Sequence, residues 1–211
     1  MPTFRSNEFQ NTSWWARQSP CILCGLTRAE QHSVCLDCWQ NFAFYHAPIE
    51  RHDQIIHAAC HYQYPLNRII QQFKYEQQLQ YQGLLAGLVL QINLAKAQAI
   101  VPMPISEARL IERGYNQSLL LAQSLAKILH IPIWQPILRL HQHSQKGLDR
   151  LERLANIQQQ FKADPIQKKR YKRILVIDDV VTTGASIYAL SQALEGLGVL
   201  HIQAACIAAA D

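Results

Sequence analysis

The sequence predicts an α/β fold: a mostly parallel sheet flanked by helices, with a small cysteine-held module in front of it. Three observations predict it. The first is the stretch Arg173-Ile174-Leu175-Val176-Ile177-Asp178-Asp179-Val180-Val181-Thr182-Thr183-Gly184-Ala185-Ser186. Its branched apolar run suits a strand buried on both faces, ended by two acids. A hydroxyl- and glycine-bearing loop follows, and then Ile187, Leu190, Leu194 and Leu197 recur at helical spacing. The second is Ala99-Ile100-Val101-Pro102-Met103-Pro104, a short apolar run entering a Pro-x-Pro turn. The third is Cys21-x-x-Cys24 with Cys35-x-x-Cys38.

Taken from the N-terminus, Met1 to Ser19 is polar and has no apolar signal core. Trp14 and Trp15 in this lead-in either cover apolar surface or offer an aromatic platform. The two Cys-x-x-Cys pairs supply four thiols. They suit a tetrahedral Zn²⁺ site, and in an oxidising compartment they would suit two disulfides instead. His32 is either a loop residue or a replacement ligand. All-cysteine ligation leaves no open position, so a metal here is expected to be structural. A module this small buries little core and would draw its folding energy from the metal. Pro48 marks the boundary: residues 1–48 are the lead-in and zinc module, and 49–211 are the main domain.

Beyond Pro48, Ile55 to Tyr64 fits a strand with Cys60 as a core thiol. Leu66 to Phe73 reads as a helix ending in Lys74 and Tyr75. Leu84, Leu85, Leu88, Val89 and Ile92 form one buried helical face. After the Val101-Pro102-Met103-Pro104 turn come Arg109 and Arg113, whose planar guanidinia match phosphate oxygens. Leu119 to Leu129 is helical, and Ile133 to Leu140 is a candidate strand. The polar, basic connection that follows runs from His141 through Gln145, Leu148, Arg153 and Asn156. It is either a functional loop or plain surface. Lys168, Lys169, Arg170, Lys172 and Arg173 form a basic cluster at the amino end of the signature strand. It reads as a solvated turn or as a track for nucleic acid. His201 to Ala210 is an apolar final strand containing Cys206.

Composition bounds the function. The chain has 211 residues, 49% hydrophobic and 17% charged, with a formal net charge of +5. That suffices for one α/β domain with an appendage and permits an anionic partner. The most apolar segment, Leu84 to Ile100, is broken by Gln91, Asn93, Lys96 and Gln98, so no membrane span is expected. A cytoplasmic location is expected.

The loop after the signature strand carries the chemistry. Thr182, Thr183 and Ser186 offer hydroxyls, and Gly184 lets backbone N–H groups converge. The helix behind adds its positive end, which suits a phosphate monoester. Asp178 and Asp179 suit sugar hydroxyls or Mg²⁺. Rival readings of the acidic pair are the Walker-B strand of nucleotide hydrolases and the acidic pair of a receiver domain; the first needs a Gly-x-x-x-x-Gly-Lys-[Ser/Thr] loop elsewhere, and no glycine here is followed by lysine. The stretch resembles the phosphoribosyl-pyrophosphate (PRPP) signature of type I phosphoribosyltransferases. That resemblance implies their fold, with Asp178 and Asp179 on the ribose hydroxyls. It places Thr182, Thr183, Gly184, Ala185 and Ser186 on the 5′-phosphate. Lys74, Met103, Pro104, Arg109 and Arg113 are then expected at the pyrophosphate, with Mg²⁺ accompanying PRPP. Enzymes of 6-oxopurine salvage carry a carboxylate where Thr182 stands, which argues against those bases as acceptors.

The whole order, from the four cysteines through Phe73-Lys74-Tyr75, the two turns and the acidic pair, resembles the competence-associated ComF family. The resemblance implies a role in DNA uptake during natural transformation, with handling of incoming single-stranded DNA. Lys168, Lys169, Arg170 and Lys172 are the candidate contacts. The zinc module is a candidate docking surface for other uptake proteins. The alternative is an active phosphoribosyltransferase of nucleotide metabolism with an unidentified acceptor.

Overall fold

A computed structural model describes residues 19–140 and 160–210. Trp14, Trp15 and the connection from His141 to Asn156 lie outside the described residues. The main sheet has five strands in the order β1 (Ile49–Arg51), β2 (Gln54–His61), β7 (His201–Ala209), β6 (Arg173–Val181) and β3 (Ala99–Pro102). Only β1 runs antiparallel; β2–β7, β7–β6 and β6–β3 are parallel pairs. Parallel strands covered on both faces should be apolar almost throughout. β6 is buried from Ile174 to Ile177, and all four residues of β3 are buried.

Alternate side chains of these strands enter two cores. On one face Ile100, Leu175, Ile177, Ala205 and Ile207 pack with α2 (Leu66–Tyr75), α3 (Gln82–Val89) and α5 (Gln117–Leu129). On the other, Ile56, Val101, Ile174, Val176 and Ala204 pack with α6 (Ala185–Glu195) and with Trp134 and Ile137. Phe73, at the end of α2, is 0% exposed. Burying such a ring contributes roughly 1.5–3 kcal/mol and fixes the direction of the next residue, Lys74. The cysteine segment, with its short helix α1 (Leu36–Gln40), does not stand apart. Cys21, Val34, Cys35, Trp39 and Phe42 belong to the same core as α2, α3 and α5.

Two strands differ from expectation. The signature strand does not stop at its acids but continues to Val181. The segment Ile133 to Leu140 yields only β4 (Ile137–Arg139), which pairs with β5 (Phe161–Ala163) outside the main sheet. Pro132 and Pro136 are the cause, since each removes a backbone donor. Between them only an isolated parallel bridge joins Ile133 to Ile100.

Candidate functional site

The register of β3 against β6 builds the site. Pro102 lies opposite Ile177, and the Met103 N–H donates to the Ile177 carbonyl at 2.8 Å. The Pro-x-Pro turn therefore begins beside Asp178, one strand spacing of about 4.8 Å away. This is the carboxyl edge of the parallel strands, where such sheets bind ligands. Asn116 caps α5, its Oδ1 accepting from the Leu119 N–H at 3.3 Å. Its Nδ2 donates to the Met103 carbonyl at 3.0 Å, so one side chain ties the turn to the helix start. Ser106 caps α4 (Glu107–Arg113), which carries Arg109 and Arg113 and has no buried residue.

The two acids meet different partners. Asp178 accepts from the Ser118 hydroxyl at 3.2 Å and from the Asp179 N–H at 2.9 Å. Burial, and then the neighbouring Asp179 charge, push its carboxyl up to about 7. Asp179 is 9% exposed and ion-pairs with Lys74 Nζ at 2.8 Å. Lys74 and Asp179, expected on different parts of one ligand, thus neutralise each other here.

Cations ring this edge. Arg113 donates from Nη2 to the Tyr75 hydroxyl at 3.1 Å, with its guanidinium 4.8 Å from that ring's centre. The Tyr115 hydroxyl donates to the Phe73 carbonyl, closing the same corner. No sequence motif marks Arg139, on β4. It donates to Gln160 Oε1 at 3.1 Å and reaches the Pro104 carbonyl at 3.5 Å. Burial lowers its pKa, and Arg109 and Asp178 both lie within range of its charge. Neither Arg139 nor Ser118 stands in a recognisable motif; folding sets Ser118 against Asp178 and Arg139 within range of its charge.

Thr182 and Thr183 are exposed after β6, and Gly184 is buried with φ +79° as the N-cap of α6. The Ala185 N–H donates to Thr183 Oγ1 at 3.4 Å. Lys168, Lys169, Arg170 and Lys172 are all exposed at the opposite, amino end of β6. Six residues of extended chain put Lys172 roughly 20 Å from Asp178. Lys172 Nζ donates to the Gly198 carbonyl at 3.0 Å.

The thiols of Cys21, Cys24, Cys35 and Cys38 all lie within 4.8 Å of one another and can hold a metal ion. Gly25, at φ +67°, turns the first knuckle, and its N–H donates to the Cys21 carbonyl at 2.9 Å. The second knuckle opens α1, where the Trp39 N–H donates to the Cys35 carbonyl at 3.0 Å. Cys24 and Cys35 stand 3.8 Å apart, against about 2.05 Å for a disulfide. A tetrahedron with metal–sulfur bonds of about 2.3 Å has edges of about 3.8 Å, so the donor set fits. The backbone N–H groups of Leu26 and Thr27 hold the Cys24 thiol down to about 6. His32 takes no part in this cluster. Its ring lies 5.2 Å from Trp39 and so close over Gly87 that a Cβ there would meet it at 2.3 Å.

No family model matches the chain. Competence protein F of Haemophilus influenzae is 36% identical over 155 residues, covering 68% of this chain and 67% of that protein. The DNA utilization protein YhgH of Salmonella typhimurium is 30% identical over 203 residues, covering 90% of this chain and 84% of its own length. Competence protein ComFC of Bacillus subtilis is 26% identical over 180 residues, 82% of this chain and 70% of that one. Among solved structures, orotate phosphoribosyltransferase from Aeropyrum pernix overlays with a TM-score of 0.38 and 19% identity. That overlay covers 62% of this chain and 60% of that chain. No helix among the described residues is long and apolar enough to cross a membrane.

Proposed function

The chain belongs to the ComF family of competence-associated proteins, and from that premise we propose that it binds PRPP or a related ribose phosphate in the service of DNA uptake. One observation carries the reading: the register that brings Asp178, Asp179, Lys74 and the Thr182–Ser186 loop to the same sheet edge as the Met103–Pro104 turn. In this reading the ribose hydroxyls donate to Asp178 and Asp179. The 5′-phosphate sits on the Thr182, Thr183, Gly184, Ala185 and Ser186 backbone and hydroxyls. Lys74, Arg109, Arg113 and Arg139 meet the pyrophosphate. Lys74 then exchanges its partner, leaving Asp179 at 2.8 Å for a phosphate oxygen. The carboxylate oxygens of Asp178 and Asp179 are hard donors that suit Mg²⁺, which when bound supplies charge neutralisation beside the pyrophosphate. Lys74, Arg109, Arg113 and Arg139 would stabilise the charge that leaves in a phosphoribosyl transfer, so pyrophosphate release is the assay for turnover.

The four cysteines hold structural zinc in this reading. The exposed run of Lys168, Lys169, Arg170 and Lys172 meets single-stranded DNA by charge, away from the sugar site. A paired experiment tests both assignments. PRPP with Mg²⁺ raises the melting temperature of the full chain by mass action, and Asp178→Asn with Asp179→Asn abolishes the rise. Changing the four basic residues to Gln leaves that rise intact. It lowers the log–log salt slope of single-strand binding by roughly 3, at about 0.7 per phosphate contact. A PRPP shift that survives loss of both acids, or a salt slope unmoved by the Gln changes, would defeat the corresponding half.

A further inference from the structure

One cation, Arg51, lies beside the Thr182–Gly184 turn. Arg51 ends β1, and the chain returns through His52 and Asp53 to Gln54, its partner in register. His52 and Asp53 have φ of +50° and +57°, the conformation of a tight two-residue hairpin turn. The His52 ring lies 5.6 Å from Tyr188 of α6, so the hairpin tip rests on the helix behind the loop. This geometry lays Arg51 over the Thr182–Gly184 turn. A Cβ on Gly184 would come 2.7 Å from the Arg51 Cβ. Arg51 Nε donates to the Thr182 carbonyl at 3.4 Å, and Nη1 donates to the Glu50 carbonyl at 3.2 Å. A guanidinium has five N–H donors. Among the described residues no carboxylate lies within ion-pair distance of this one. A half-buried cation is therefore held over the loop by neutral carbonyls, with donors left for an anion.

We propose that Arg51 is a phosphate-binding residue of this site, its guanidinium contributing N–H donors to the phosphate monoester seated on the Thr182–Ser186 loop. The proposal rests on the ribose-phosphate reading of that loop and adds a side chain from a different part of the sheet.

The test is isothermal titration calorimetry on the full, zinc-loaded chain. Its ligands are ribose 5-phosphate, inorganic phosphate and pyrophosphate with Mg²⁺, against wild type, Arg51→Met and Arg51→Lys. Loss of a charge-assisted hydrogen bond is expected to weaken ribose 5-phosphate and inorganic phosphate about tenfold or more in the Met variant. Arg51→Lys, which keeps charge and stem, recovers part of the affinity, and pyrophosphate binding is unchanged in both variants. Equal ribose 5-phosphate affinity in wild type and Arg51→Met would overturn the proposal and leave the loop assignment standing. Should the Met variant fail to fold, a folded Lys variant that loses ribose 5-phosphate and pyrophosphate in equal measure would also overturn it, as a purely structural role. A wild-type chain that binds neither ribose 5-phosphate nor inorganic phosphate brings down the loop reading itself.

Discussion

At Asp178 the sheet holds a carboxyl whose ionisation is resisted by burial and by Asp179, while Asp179 has Lys74 at 2.8 Å. The consequence for stability has a definite sign. The folded pKa of about 7 lies above an unfolded value of about 3.9, so the folded state holds this proton more tightly. The favourable contribution is complete at about pH 4, is lost as pH rises towards about 7, and then levels off. Asp178→Asn, which mimics the neutral acid, is therefore expected to melt above wild type at about pH 8 and to match it near pH 4. Circular dichroism melts at the two pH values measure this; an equal difference at both would contradict it. The adjacent acids were legible in the sequence because they are neighbours with a loop and helix after them. Ser118 and Arg139 were not. Ser118 bonds Asp178 across 60 positions, and Arg139 comes within range of its charge across 39, separations that only folding closes.

The β6–α6 connection shows how an element constrains a residue. Gly184 sits at φ +79°, where a side chain is strained, and Arg51 fills the space a Cβ would need. Gly184→Ala is expected to destabilise the fold by on the order of 1–3 kcal/mol, read from the midpoint shift in urea unfolding. A midpoint unchanged from wild type would mean the turn can relax. Strands and helices with long, regular apolar patterns were legible: β2, α2, α5, α6 and β7 lie where periodicity puts them, and β6 begins there but runs on past its acids to Val181. β1 was not, because Ile49–Arg51 is three residues long and its existence depends on pairing with β2. β4 was legible as extended chain but not as a stray from the main sheet. The proline positions that exclude it act only through its would-be partner.

Across the whole molecule, the cysteine module and the sheet share one core through Cys21, Val34, Cys35, Trp39 and Phe42. Metal removal is therefore expected to lower a single cooperative melting transition, by on the order of 10 °C, rather than to melt a separate unit. Calorimetry with and without a chelator decides it; an unchanged main transition would show the module to be thermally independent. The four-cysteine spacing was legible, but the shared core was not, since Trp39 and Phe42 could as well have closed the module on itself.

The strand order has a further implication for biogenesis. β1–β2 and β6–β3 share no backbone hydrogen bond; β7, the latest strand in the order, lies between them and joins both. As the polypeptide leaves the ribosome, its early and middle strands wait side by side with open edges until that last strand emerges.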